Sequence, residues 1–204
     1  MALKFERILA VGAHPDDVEY SCLGFLLKQK ALGSSIYAYV ASLGGLNDET
    51  SGLERKAESD AALSLNGFEK FYTLNNNFDY FEIEAEIRNL VLKFDIDCVV
   101  VHSPLDTHQD HRLVHDITVS AIRRLGLSLI LYRSVSTTRE FVPNLQVGID
   151  TFMDLKMNTL RLHKSQQTKI YMQKHMIESF HTYYNIFDNS ERFYEMYTIN
   201  SIVN

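Results

Sequence analysis

The sequence predicts an α/β chain: a Rossmann-like, doubly wound, mostly parallel sheet with helices on both faces and a C-terminal elaboration. Two observations predict it. Over residues 1–134, short apolar runs alternate with segments of helical period, and such β-α-β-α series build parallel sheets with right-handed crossovers. The loops after the first and fourth apolar runs collect histidines and aspartates, and in this fold ligand sites form where those two strands end.

The elements follow in order. RILAVGA (7–13) is a nearly continuous apolar run, as expected of a strand covered on both faces. CLGFLLKQKALG (22–33) has helical spacing at Leu23, Leu26, Leu27 and Leu32, with Gly33 as a stop. SIYAYVAS (35–42) reads as a strand and LERKAESDAALSL (53–65) as a helix ending near Asn66-Gly67. FEKFYTL (68–74) is a third strand, and FEIEAEIRNLVLKF (81–94) is an amphipathic helix. DCVVVHS (97–103) is a fourth strand, HRLVHDITVSAIRRLG (111–126) a helix and LSLILYRS (127–134) a fifth strand. Beyond residue 134 the pattern loosens. Asp150 reads as the cap of a helix to about residue 162, a helical stretch follows over 165–180, and ERFYEMYTI (191–199) reads as an added strand. The expectation is one domain over 1–204, with a core over 1–134 and an elaboration over 135–204.

Composition bounds the function. With 204 residues, 46% hydrophobic and 23% charged, the chain has enough apolar content for a sizeable core. A formal net charge of −6 and no basic stripe argue against nucleic acid or an anionic membrane surface as partners. No apolar run approaches the roughly 20 residues of a membrane span, and the N-terminus does not read as a signal peptide. Cys22 and Cys98 stand apart in apolar surroundings and read as buried free thiols. A cytoplasmic protein is expected.

The chemistry is concentrated in AHPDDVE (13–19) and HSPLDTHQDHR (102–112). The fold brings His14, Asp16 and Asp17 towards His108, Asp110 and His111. Imidazole nitrogen and carboxylate oxygen suit Zn²⁺ and similar divalent ions. Two adjacent aspartates permit a division of labour, one turned to a metal and the other to a water. One aspartate alone would read as a helix cap, and a lone histidine such as His102 or His115 as structural or solvent-facing. The chain lacks a GxSxG elbow and a GxxxxGK[ST] loop. It carries GAHPDD where a dinucleotide site would carry GxGxxG, and carboxylates there would repel a pyrophosphate.

At these residues the sequence resembles the LmbE-like, or PIG-L, family of zinc-dependent N-acetylglucosaminyl deacetylases. AHPDD with Glu19 matches its first motif, and His108-Gln109-Asp110-His111 its HxDH motif. Arg55 and Glu58 match an R-x-x-E helix, His163-Lys164-Ser165-Gln166 an HKSQ segment, and YEMY with Glu195 a terminal strand. The resemblance implies His14, Asp17 and His111 as ligands of Zn²⁺, with Fe²⁺ or another divalent ion as a substitute. It implies Asp16 as the general base that returns its proton to the leaving amine. His108 would stabilise the oxyanion or act as an acid, with Asp110 as the carboxylate that orients it. Arg55, Glu58 and His163 are candidate substrate contacts; Arg55 and Glu58 also read as an ordinary i,i+3 helix pair. The implied reaction is hydrolysis of an N-acetyl group from an amino sugar, a small-molecule partner. The alternatives are hydrolysis of another amide or ester, and a non-catalytic metal or glycan binder.

Two features depart from the family pattern or go beyond it. Leu23 and Phe25 stand where Gly and Thr are usual, which would either narrow the sugar pocket or repack the helix. The tail is rich in rings: Tyr171, Phe180, Tyr183, Tyr184, Phe187, Phe193, Tyr194 and Tyr197. They suit sugar stacking, core packing or a homo-oligomer contact.

Overall fold

The computed structural model describes residues 3–44, 49–74, 78–182 and 191–203. Five strands run parallel: β1 (Arg7–Gly12), β2 (Ser35–Val40), β3 (Glu69–Tyr72), β4 (Cys98–His102) and β5 (Ser128–Tyr132). Two more, β6 (Leu145–Gly148) and β7 (Tyr194–Ser201), complete a seven-stranded sheet of order β3-β2-β1-β4-β5-β7-β6. Strand β7 is antiparallel to both its neighbours, so the tail joins the sheet of the core. The winding reverses between β1 and β4, which are paired.

The apolar runs are continuous because both faces of the sheet are covered. On β1, Ile8 and Ala10 enter one apolar cluster, and Leu9 and Val11 enter the other. Helices α2 (Leu23–Ala31) and α6 (Asp150–Leu160) contribute to the first; α4 (Tyr80–Lys93) and α5 (Gln109–Ile122) contribute to the second. Gly33, at φ +97°, adopts the left-handed conformation that ends α2, as its position in the sequence predicts. A short helix, α1 (Asp17–Ser21), precedes α2, and α3 (Glu49–Leu65) and α7 (Lys174–Thr182) complete the set.

The tail departs from expectation in four places. The edge strand β6 was not predicted; it has four residues and only Val147 is buried, so it carries no alternation. The stretch 165–180 is not one helix: 3₁₀ turns at Lys164–Gln166 and Ile170–Met172 precede α7. The added strand starts at Tyr194, three residues later than the sequence suggests. Asp150 does not cap α6, whose N-cap is Ile149. Its carboxylate instead accepts the backbone N–H of Arg192 (2.8 Å) and Phe193 (2.6 Å), tying down the approach to β7.

Leu23 and Phe25 are buried in the core, with the Phe25 ring 5.3 Å from that of Tyr197. The family departure at these positions therefore repacks the helix against the sheet. Beside them, Glu195 is 1% exposed. It accepts the N–H of Gly24 (2.8 Å) and Phe25 (2.7 Å), the Tyr197 hydroxyl (2.7 Å) and the Lys156 ammonium (2.5 Å). One carboxylate thus satisfies the N-terminus of α2 and locks it to α6 and β7. Cys22 and Cys98 are free and buried. Phe193, Tyr194 and Tyr197 are core residues; Tyr183, Tyr184 and Phe187 lie outside the described residues.

Candidate metal centre and active-site cavity

The site forms where β1 and β4 end. The β1–α1 loop supplies His14 and Asp16 and the first residue of α1 supplies Asp17; the β4–α5 loop supplies Asp106 and His108, and the first turn of α5 supplies Asp110 and His111. Asp17 sits at the centre. Its Oδ2 accepts the His14 N–H at 2.8 Å and lies 3.6 Å from His14 Nδ1 and 3.3 Å from His102 Nε2. Its Oδ1 lies 3.5 Å from His111 Nε2. Burial opposes its charge, but the His111 and His102 imidazoles outweigh burial and hold its pKa well below the usual carboxylate range.

The two expected histidine ligands are each braced from behind. His14 Nε2 is 3.0 Å from Asp110 Oδ2, and His111 Nδ1 is 3.0 Å from Asp106 Oδ2. In each ring the other nitrogen is the one that faces Asp17. A carboxylate behind a ligating imidazole fixes its tautomer and raises its basicity. Burial lowers the pKa of His111, but Asp17 and Asp106 outweigh it and push the value up to about 10.

Donor atoms lie within 4.8 Å of one another in two overlapping sets: His14, His108 and His111, and Asp17, His102 and His111. The expected trio of His14, Asp17 and His111 straddles both sets and does not itself form one. The donor chemistry fits a divalent ion, and His111 is common to both sets. His102 fits a ligand's role less well, because its Nε2 accepts the Ala13 N–H at 3.1 Å. Burial keeps it neutral, with a pKa of about 4. Its ring stacks on that of His111 at 3.9 Å, and His108 stacks on the other side at 4.5 Å.

Asp16 is set apart from this cluster. Its φ of 105° is in the left-handed region that residues other than glycine rarely adopt. Arg55 Nη2 lies 3.5 Å from its Oδ1 and donates to the Pro15 carbonyl at 2.9 Å. The Tyr171 hydroxyl lies 3.5 Å from its Oδ2. Burial and the neighbouring Asp17 charge raise the Asp16 pKa to about 6, against the pull of Arg55.

These groups line a cavity of about 320 Å³. His14, Asp16, Asp17, Arg55, His108 and His111 are on its wall. Asp110, Glu58 and His163 are not. The Asp110 carboxylate faces His14, and the residue meets His108 through its backbone N–H, which donates to His108 Nδ1 at 3.3 Å. Glu58 accepts both the N–H (2.8 Å) and hydroxyl (2.6 Å) of Ser165. Buried His163 pairs with Glu19 at 3.1 Å, and Ser59 donates to the same Glu19 oxygen. The i,i+3 pairing of Arg55 with Glu58 is not formed, since each has a partner elsewhere.

Sequence reasoning passed over several wall residues and supports. Asp106 lay inside the second quoted loop, and a carboxylate five residues before an expected ligand was the available signal. His102, expected to be structural or solvent-facing, is buried within the cluster and accepts the Ala13 N–H. Tyr20, Lys169 and Ser136 also line the cavity, and no sequence pattern marked them. Tyr171, noted only as one ring among many, is held by the Tyr20 hydroxyl, which donates to its carbonyl at 3.0 Å.

Comparison with known proteins agrees with this architecture. The family model described as GlcNAc-PI de-N-acetylase (PIG-L) matches residues 9–122. The chain is 29% identical over 178 residues to the uncharacterized deacetylase YaiS of Escherichia coli K12, covering 80% of this chain and 94% of that one. The fold superposes on the N,N'-diacetylchitobiose deacetylase of Pyrococcus horikoshii with a TM-score of 0.80, at 21% identity, over 96% of this chain and 84% of that one. It also superposes on GalB, the 4-carboxy-2-hydroxymuconate hydratase of Pseudomonas putida KT2440, with a TM-score of 0.74 at 13% identity, over 96% of each chain. The fold by itself is therefore shared between hydrolysis and hydration. The match over both motifs and the sheet that carries them decides the family: the chain belongs to the PIG-L (LmbE-like) family of deacetylases.

Proposed function

We propose that this protein is a metal-dependent hydrolase that removes an acetyl group from the nitrogen of an amino sugar or sugar conjugate, with Asp16 as general base. The observation that carries the reading is the arrangement around Asp17. Two imidazoles, each braced by a carboxylate, aim their free nitrogens at Asp17, while a second, separately held carboxylate lines the same cavity. A purely structural metal site has no use for that second carboxylate. The names of the relatives support deacetylation over hydration.

His14, Asp17 and His111 would hold the ion; Zn²⁺ suits them, and Fe²⁺ suits the same donors. When bound, such an ion acidifies water to a pKa of about 7 and polarises a carbonyl. Asp16, with a pKa of about 6, is poised near neutrality to take the proton of the attacking water and return it to the leaving amine. Arg55 and Tyr171 hold its two oxygens during that exchange. His108 receives the Asp110 N–H at Nδ1, so its own proton sits on Nε2, where it can donate to the oxyanion. Asp110 braces His14 and sets His108 through its backbone. Glu58 and His163 act from behind the wall, through Ser165 and Glu19.

The cytoplasm is the compartment that two buried free thiols suit. No helix among the described residues is long and apolar enough to cross a membrane. The test is metal content of the purified protein together with acetate release from a panel of N-acetylated sugars, with and without chelator. One bound divalent ion and chelator-sensitive acetate release are expected. Release of a different acid would move the reading to another amide or ester. A bound metal with no hydrolysis of any amide would favour the binding protein.

A further inference from the structure

A turn that belongs to neither motif reaches the candidate ligand His111. Strands β4 and β5 are parallel neighbours, so the chain leaves both at the same edge of the sheet. Residues 134–138, just past β5, fold against the β4–α5 loop. The Thr107 N–H (3.0 Å) and hydroxyl (2.9 Å) both donate to the Ser136 carbonyl, and the Thr138 N–H donates to the Leu105 carbonyl at 2.8 Å. These bonds fasten the turn to the loop and bring buried Ser134 against buried Asp106.

The donors and acceptors around Ser134 leave its hydroxyl one arrangement. The group has one proton and two lone pairs. The proton goes to Asp106 Oδ2 at 2.5 Å, because a carboxylate only accepts. One lone pair takes the Ser136 N–H at 3.2 Å; the other faces the hydroxyls of Ser136 at 3.1 Å and Thr137 at 3.3 Å. The same Asp106 oxygen receives His111 Nδ1 at 3.0 Å. That nitrogen has a second neighbour, the Ser136 hydroxyl at 3.3 Å. The two partners are not equivalent. A carboxylate makes the stronger hydrogen bond and raises the basicity of the imidazole, and a neutral hydroxyl does much less of both.

We propose that Ser134 is a positioning residue for the metal centre: its hydroxyl pins Asp106 Oδ2 against His111 Nδ1 and so keeps His111 Nε2 turned towards Asp17, where a divalent ion binds. Without the hydroxyl, Asp106 Oδ2 keeps a single bond and the carboxylate is free to turn. His111 Nδ1 then shifts towards the Ser136 hydroxyl, and the ring loses both its orientation and its anionic partner. The proposal rests on the metal-site reading of this cluster and not on the identity of the substrate.

The experiment compares Ser134→Thr with Ser134→Val, two side chains of one shape of which only the first has a hydroxyl. Zn²⁺ affinity is read by competition with a chromophoric chelator, and melting of the metal-free proteins confirms that each is folded. Supports of ligating histidines are worth about 10- to 100-fold in metal affinity, and Ser134 acts one bond further out, so S134V is expected to bind about tenfold more weakly. S134T is expected to stay within about twofold of the wild type. Equal losses in S134T and S134V overturn the proposal, because packing and not the hydroxyl is then at work. A folded S134V protein within about twofold of the wild type also overturns it. If the β-branched residues do not fold, Ser134→Ala decides by the same thresholds, since it adds no bulk. A second readout needs neither metal nor substrate. The His111 Nδ1 proton is followed by NMR in the metal-free protein, and it is expected to be low-field and slowly exchanging in the wild type and S134T and exchange-broadened in S134V. An unchanged resonance in S134V overturns the proposal even if the wild type binds no ion. Failure to release acetate from any sugar would sink the deacetylase reading and leave these two measurements to decide the role of Ser134.

Discussion

Replacing Asp106 by Asn tests whether the carboxylate behind His111 sets the metal site. Asp106 is 3% exposed and accepts three hydrogen bonds: from the His108 N–H at Oδ1 (2.8 Å), and from the Ser134 hydroxyl (2.5 Å) and His111 Nδ1 (3.0 Å) at Oδ2. An asparagine of the same shape has one acceptor oxygen and one donor nitrogen. If the oxygen keeps the His108 N–H, the amide N–H₂ faces His111 Nδ1. That nitrogen must then accept, and the ring proton moves to Nε2, the nitrogen that faces Asp17. A protonated nitrogen cannot bind a metal. If the amide turns over, its N–H₂ opposes the His108 N–H, which leaves buried donors unpaired at a cost of about 1–3 kcal/mol. Either arrangement is unfavourable, so the effect belongs at the upper end of what such supports contribute. Metal affinity falls about 100-fold, or roughly 2.7 kcal/mol. Competition with a chromophoric chelator measures it, and thermal melting of the metal-free protein confirms that the variant is folded. A folded D106N protein that binds Zn²⁺ within threefold of the wild type would refute both the tautomer argument and His111 as an Nε2 ligand.

Other perturbations separate the remaining roles. Asp16→Asn lowers turnover by at least ~10² at unchanged metal content, and the fold survives because asparagine tolerates the left-handed φ that Asp16 occupies; steady-state kinetics beside metal analysis reads both. Gly44→Ala places a Cβ against the Arg55 guanidinium at a φ of +69°, so Arg55 is displaced from Asp16 and turnover drops about 10- to 100-fold with the metal retained. Lys156→Met leaves the Glu195 carboxylate buried without its cation; urea unfolding should show a loss of about 3–5 kcal/mol, and Glu195→Gln added to it should restore part of that.

The sequence was legible where one physical requirement dominated. Strands β1 and β4 are buried on both faces, so their apolar runs are unbroken and their ends fall within a residue or two of the expected positions. Strand β6 is a short edge with one buried side chain, and no pattern distinguishes LQVG from a loop. Residues 164–182 have helical composition, but Ser165 is held by Glu58 from 107 positions away and Tyr171 by Tyr20 from 151. Long-range contacts of that kind break a helix into turns and leave no local trace. The same distinction holds in the site. The HPDD and HQDH motifs announce donors, and the topology brings them together. A lone Asp106, or a Lys169 in a broken helix, looks no different in sequence from any solvated charge.

The agreement between the two loops depends on register. Strand β1 pairs with β4 at Ile8 with Cys98, Leu9 with Val99 and Ala10 with Val100. Continuing that parallel pairing brings Gly12 level with His102, the last residues of their strands. The contact that follows is the Ala13 N–H donating to His102 Nε2, with Asp17 3.3 Å from the same nitrogen. A slip of β4 by one residue would turn His102 to the opposite face of the sheet and move the β4–α5 loop by about 3.3 Å relative to β1. Contacts of 3.0 Å between Asp110 and His14, and of 3.5 Å between His111 and Asp17, would not survive that displacement. The apolar alternation that divides β4 between two cores therefore also aligns the donor atoms, and the two clusters of motif residues need no direct contact in sequence to form one site.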